Sequence, residues 1–269
     1  MRSRRSVLKT VATAAAASAG LAWVGREMWR ERARNLRAAE YRRLVASIDR
    51  LSAAGKTKQL GLPEFMRFWS ENVVLRLRRA KFPLDQHQAM VVARGSLLLP
   101  PASREQLDAA QFRINETLPG PAQNLYLATN GLYTIINYAA QPLTLWPIDH
   151  VARLKSVDPE LVKIWTKDPL PSPTDREYFK YGKGQDSIVM RTEYMPELIC
   201  LTPVVDGGAL LLNPAVKFPS GEMEAWDFSV KHPGAIRYES LGQMLETQCE
   251  SDCWLLDEWS ATHGWRREA

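Results

Sequence analysis

The 269-residue sequence predicts an α+β fold, with N-terminal helices followed by an antiparallel-rich sheet and a closing helix. Three observations predict it. Helix-period apolar patterning and helix-opening prolines dominate up to about residue 130. From residue 187 to 238 aliphatic runs are punctuated by Asp-Gly and Pro-Gly. A further helical run follows Ser240. Helices first and strands afterwards argue against the regular alternation of a parallel, doubly wound sheet. With 45% hydrophobic content the chain can bury a sizeable core.

Residues 1–25 read as a leader. Ser3-Arg4-Arg5-Ser6-Val7-Leu8-Lys9 resembles a twin-arginine export signal, carried by Arg4, Arg5, Leu8 and Lys9, with Val7 where Phe is usual. The Ala-rich apolar stretch behind it has 16 residues, short of the roughly 20 that a spanning helix needs. The expected location is the periplasm or the periplasmic face of the inner membrane, with the cytoplasm as the alternative.

Residues 26–99 read as a basic helical region. Tyr41, Leu44, Val45, Ile48 and Leu51 recur at helical spacing opposite a face of arginines. Such a helix is suited to peripheral contact with anionic lipid, each nearby Lys or Arg contributing about 1 kcal/mol. Residues 53–58 read as a linker, and Pro63 opens a helix carrying Phe65, Phe68 and Trp69. The run Leu97-Leu98-Leu99-Pro100-Pro101 then marks a boundary.

The domain expected over residues 100–247 begins with helices at 102–117 and from 121 to the turn Asn130-Gly131. Residues 187–192 and 198–203 are strand-like, and Asp206-Gly207 between apolar runs signals a hairpin. A strand over 222–228 precedes the Pro233-Gly234 break and the closing helix. Residues 248–269 form a Trp-rich tail with Trp254, Trp259 and Trp265.

Charge is divided unevenly along the chain. Residues 1–58 hold 14 Lys/Arg against 4 Asp/Glu, which leaves 21 against 26 of the totals of 35 and 30 for the remainder. A net-acidic body lacks the basic patch of a nucleic-acid binder, so no nucleic acid is expected as a partner. No cofactor or metal is expected either. Gly182-Lys183-Gly184 is too short for a phosphate loop, no Gly-x-Ser-x-Gly elbow occurs, and the four histidines are scattered. Cys249 and Cys253, four apart on a helix, lie near the edge of disulfide reach and are awkwardly oriented, so two buried or half-buried thiols are expected.

Leu118-Pro119, Asn130-Gly131, Trp146-Pro147-Ile148, Tyr178-Phe179, Tyr181-Gly182, Gln185-Asp186, Leu211-Leu212-Asn213-Pro214, Gly221-Glu222-Met223-Glu224-Ala225-Trp226 and Pro233-Gly234-Ala235-Ile236-Arg237-Tyr238 occur in the order seen in the SUKH superfamily. That superfamily includes a yeast cell-wall-synthesis regulator and killer-toxin-resistance domain. The resemblance covers roughly residues 102–247, with Met223 where the family usually has Trp. It implies a SUKH-like α+β recognition domain with no cofactor and no catalytic set, many bacterial members resembling toxin-neutralising immunity proteins.

Candidate residues follow. Asn130, Gly131, Trp226 and Tyr238 are expected in the structural core. Tyr178, Tyr181, Gln185 and Asp186 form a polar-aromatic loop suited to protein contact. Glu222 and Glu224 alternate on one strand face with Trp226, as a recognition edge or as a carboxylate pair acting on a glycoside. The leading reading is a non-enzymatic, exported or membrane-associated protein-binding module whose partner is a toxin domain or an envelope component. The alternatives are a cytoplasmic immunity protein and an envelope-glycan enzyme using Glu222 and Glu224.

Overall fold

A five-stranded antiparallel meander forms the centre of the chain, with a different apolar core on each face. The computed structural model describes residues 53–138, 141–167, 171–231 and 234–263. The leader, its four signal residues and the basic helix of the N-terminal region lie outside the described residues.

Helices α1 (Lys56–Leu60), α2 (Leu62–Arg79), α3 (Gln86–Arg94), α4 (Arg104–Ile114) and α5 (Gly120–Ala128) come first. Helix α2 has Pro63 in its first turn, and Phe65, Met66, Trp69, Val73 and Leu77 form its buried stripe at the 3.6-residue period. Asp85 with Gln88 and Ser103 with Gln106 close capping boxes that start α3 and α4.

Strands β1 (Leu132–Tyr138) and β2 (Gln141–Leu145) pair as a separate ribbon. Then follow β3 (Ala152–Arg153), α6 (Leu154–Val157), α7 (Pro159–Lys167), α8 (Asp175–Tyr178) and two 3₁₀ turns, Gly182–Gly184 and Thr192–Glu197. The chain continues through β4 (Ile199–Cys200), β5 (Gly208–Lys217), β6 (Met223–Ser229) and β7 (Gly234–Tyr238) to α9 (Leu241–His263). The sheet runs β3-β4-β5-β6-β7, every pair antiparallel. Asp206 and Gly207, both at positive φ (50° and 70°), make the two-residue turn into β5 that the Asp-Gly signal predicts.

Successive residues of the sheet point to opposite faces. Leu210, Leu212, Met223 and Ala225 meet α2, α5 and α9 in one core. Leu211, Trp226, Phe228 and Ala235 meet α6, α7 and Tyr178 in the other. Burial on both sides is why residues 209–212 of β5 read as an unbroken apolar run.

Three expectations are corrected. No core ends at Pro100-Pro101, because Phe65, Trp69 and Leu77 share one cluster with Leu107, Tyr126, Leu245 and Leu256. Residues 248–263 of the expected tail are the second half of α9, tied to α2 by Trp69 Nε1 donating to Asp252 (3.0 Å) and by the buried Arg76–Asp257 ion pair (2.9 Å), while 264–269, with Trp265, lie outside the described residues. Residues 187–192 join no ladder, because Ser187 contributes only a carbonyl to Ala235 N–H (2.9 Å) and the chain turns at once. Cys249 and Cys253 are free, buried thiols facing that α2–α9 seam.

Candidate functional site

Register brings one polar set together within the second core. Asn213 of β5 lies opposite Glu224 of β6, and Trp226 lies between Leu211 and Arg237 of β7. Glu224 and Trp226, two apart on β6, therefore share a face with Asn213 and Arg237. Helix α8, started by a Thr174–Glu177 capping box, lays Tyr178 over that face, and Tyr181 follows three residues later.

Glu224 is the hub. Its Oε2 accepts from Tyr178 Oη (2.6 Å), Trp226 Nε1 (2.7 Å) and Asn213 Nδ2 (2.8 Å), and its Oε1 accepts from Tyr181 Oη (2.9 Å). Arg237 Nη1 stands 3.7 Å from Oε1 and donates to the Tyr178 carbonyl, and both charged side chains are 0% exposed. Arg237 Nε and Nη2 find no acceptor among the described residues. The guanidinium instead faces the rings of Tyr178 at 4.2 Å and Tyr181 at 5.6 Å, and Arg191 reaches the Tyr178 ring at 4.7 Å. Burial first, then the Glu224 charge, pushes both phenols well above their ordinary range.

Gln185 works along the sheet edge. Its Oε1 accepts from Arg237 N–H (2.7 Å) and its Nε2 donates to Arg237 C=O (3.1 Å), so one carboxamide replaces a neighbouring strand at that residue. Asp186 is exposed and accepts from Ile188 N–H (3.2 Å). Between these pins the loop turns Phe179 (44% exposed) and Ile188 (48%) outward.

The expected contact residues thus divide. Tyr178 and Glu224 are buried and cannot touch a partner, because the alternation that puts Glu224 beside Trp226 turns both into the second core. Tyr181 and Gln185 are half-buried, and Asp186 lies on the surface. Glu222 precedes an irregularity in the β5–β6 register and lines a cleft of about 610 Å³ with Phe218, Glu239 and Gln243. Its Oε2 is buried with no hydrogen-bond partner among the described residues, and burial raises its pKa above the ordinary carboxylate value. Glu224 does not line that cleft, so the two carboxylates flank no common space.

Of the expected core residues, Trp226 and Gly131 are buried, and Tyr238 packs half-buried against the first core. Asn130 is half-buried and accepts from Ile148 N–H (2.7 Å). Asn213 and Arg237 are the two site members that sequence reasoning did not assign. Their signal was a lone polar residue inside each apolar strand. Among the described residues no group of three or more His, Cys, Asp or Glu is placed to hold a metal, and no helix is long and apolar enough to cross a membrane. Comparison of the chain with protein-family models, with curated proteins and with solved structures found no match in any of the three.

Proposed function

We propose that the chain is a non-enzymatic protein-binding module of SUKH type, exported or membrane-associated, whose partner is another protein. One observation carries the reading. The loop over residues 178–190 is pinned from inside by Tyr178 and Tyr181 on Glu224 and by Gln185 on Arg237, and it presents Phe179 and Ile188 outward. A loop ordered before binding spends little entropy on association, and exposed apolar side chains on a rigid frame suit a binding surface. Glu224 is engaged entirely within the domain, which leaves the glycan-enzyme reading without its second carboxylate.

The test places a photo-crosslinking residue at Phe179, at Ile188, and at exposed Lys231 outside the loop, in the full chain expressed in its own cells. One protein adduct is expected from the first two positions and none from Lys231. Equal labelling at all three, or hydrolysis of an envelope glycan that Glu222→Gln abolishes while the fold persists, would overturn the reading. The location is tested by fractionation. Replacing Arg4 and Arg5 together by Lys should hold the chain in the cytoplasm, because a receptor reads the arginine pair and not charge alone. An unchanged location would remove the export proposal.

A further inference from the structure

We infer that residues 53–61 form a releasable strap, clasped by Glu246 and Glu250 of α9 and dividing one groove into two. The strap has little apolar hold. Helix α1 within it has five residues and buries none of them, and a helix that short is marginal in water. Gly55 (φ 75°) and Gly61 (φ 76°) bound it with left-handed backbone, so both ends are positions where the chain swivels at low cost.

Carboxylates supply what packing does not. Glu250 Oε1 accepts from Ala53 N–H (2.9 Å), Glu246 Oε2 from Gly55 N–H (2.9 Å), and Glu246 Oε1 from Thr57 N–H (2.8 Å) and from the Thr57 hydroxyl. Gly55 has no side chain to cap α1, so Glu246 satisfies the orphan N–H groups of its first turn from another element. Further holds include the buried methyl of Ala53 and the Lys56 ammonium 5.9 Å from the Phe68 ring centroid. Closure also needs Gly242, because a Cβ there would lie 2.9 Å from Thr57 Oγ1 and 3.2 Å from its Cβ.

The strap is a partition. Gly55, Thr57, Lys58 and Gly61 line the cleft of about 610 Å³, while Ala54 lines a second cleft of about 400 Å³. Glu239, Gln243 and Glu246 form walls of both. Swinging the strap away joins them into one groove. Release also frees a tether reaching up to about 30 Å when extended.

Hydrogen exchange on the full chain tests this. In the parent, amides of residues 53–58 should open independently of α2 and β6 and with little dependence on low denaturant. Glu246→Gln with Glu250→Gln should speed exchange of those amides roughly tenfold or more by removing charge-assisted bonds, and Gly242→Ala should do the same by blocking closure. Exchange in α2 and β6 should not change. Parent strap amides that exchange only in step with α2 and β6, sharing their denaturant dependence, would overturn the inference. So would unchanged strap rates in a folded variant. If the double Gln variant unfolds globally, the parent's denaturant series and the Gly242→Ala variant still decide.

Discussion

Replacing Glu224 by Gln should cost about 4 kcal/mol of stability. Gln keeps one oxygen and turns the other into an amide donor. With its oxygen toward Tyr178, Trp226 and Asn213, three bonds survive as neutral ones, and each loses a charge-assisted excess of about 1 kcal/mol. Tyr181 can rotate its hydroxyl to accept from the new amide, so that position loses least. Arg237 loses the carboxylate 3.7 Å away while remaining wholly buried, and breaking a buried pair costs about 3–5 kcal/mol. The two costs overlap, because the same negative charge serves both. A loss of about 4 kcal/mol is a large part of the 5–15 kcal/mol typical of domains. Urea unfolding followed by tryptophan fluorescence should show a lower midpoint at unchanged slope. Adding Arg237→Met should recover part of the loss, because both partners of the pair are then gone. A loss below about 1 kcal/mol, or no recovery in the double variant, would refute Glu224 as the hub.

Three further outcomes follow from the packing. Gly234→Ala should destabilise by about 3 kcal/mol or more, since its Cβ would meet the Ser187 carbonyl at 2.0 Å at φ +118°, and a thermal melt that does not shift would contradict that. Burial against α2 pushes Asp252 up to about 7 from 3.8, so the folded state holds the proton more tightly; that carboxyl destabilises increasingly as pH rises from about 4 to 7, by at most about 4 kcal/mol, and is neutral below. Asp252→Asn should flatten this part of the stability–pH curve, and identical slopes in variant and parent would dismiss it. A fragment over residues 102–247 should show no cooperative melt, because it loses the α2 stripe and Leu256 at about 2–5 kcal/mol per large side chain, whereas a fragment starting at residue 53 should melt cooperatively.

Local chemistry was legible wherever one residue decides geometry. Pro63 opening α2, Asp206-Gly207 turning into β5 and the alternation over β6 all read directly from side-chain type. Tertiary effects were not. Pro100-Pro101 has the composition of a boundary, yet the chain only turns there while the core passes beneath it. Val189 and Met190 have strand-like chemistry, but Gln185 and Ser187 had already taken the adjoining edge groups of β7. β7 itself was hidden behind Pro233-Gly234, a pair that signals a break, although Gly234 is here the first of five paired residues. The helical spacing of Leu154, Val157, Leu161, Val162 and Trp165 was present in the sequence and marks α6 and α7. For the site, alternation correctly grouped Glu224 with Trp226, but a single strand cannot say which of its faces is covered. The segment from Tyr178 to Gln185, folding back across more than forty residues, made that face an interior together with α6 and α7.

The Gln185 carboxamide also limits how this domain can recognise anything. An exposed sheet edge recruits extended peptides by strand addition, trading backbone bonds with whatever lies alongside. On β7 the outward N–H of Ala235 and both outward backbone groups of Arg237 are already bonded to Ser187 and Gln185, and at the opposite end β3 is two residues long. An incoming strand finds no row of free donors and acceptors at either margin. On the proposed binding reading, discrimination among partners falls to side-chain shape and charge on loops, and a change at Gln185 would open that edge as a template for β-rich neighbours.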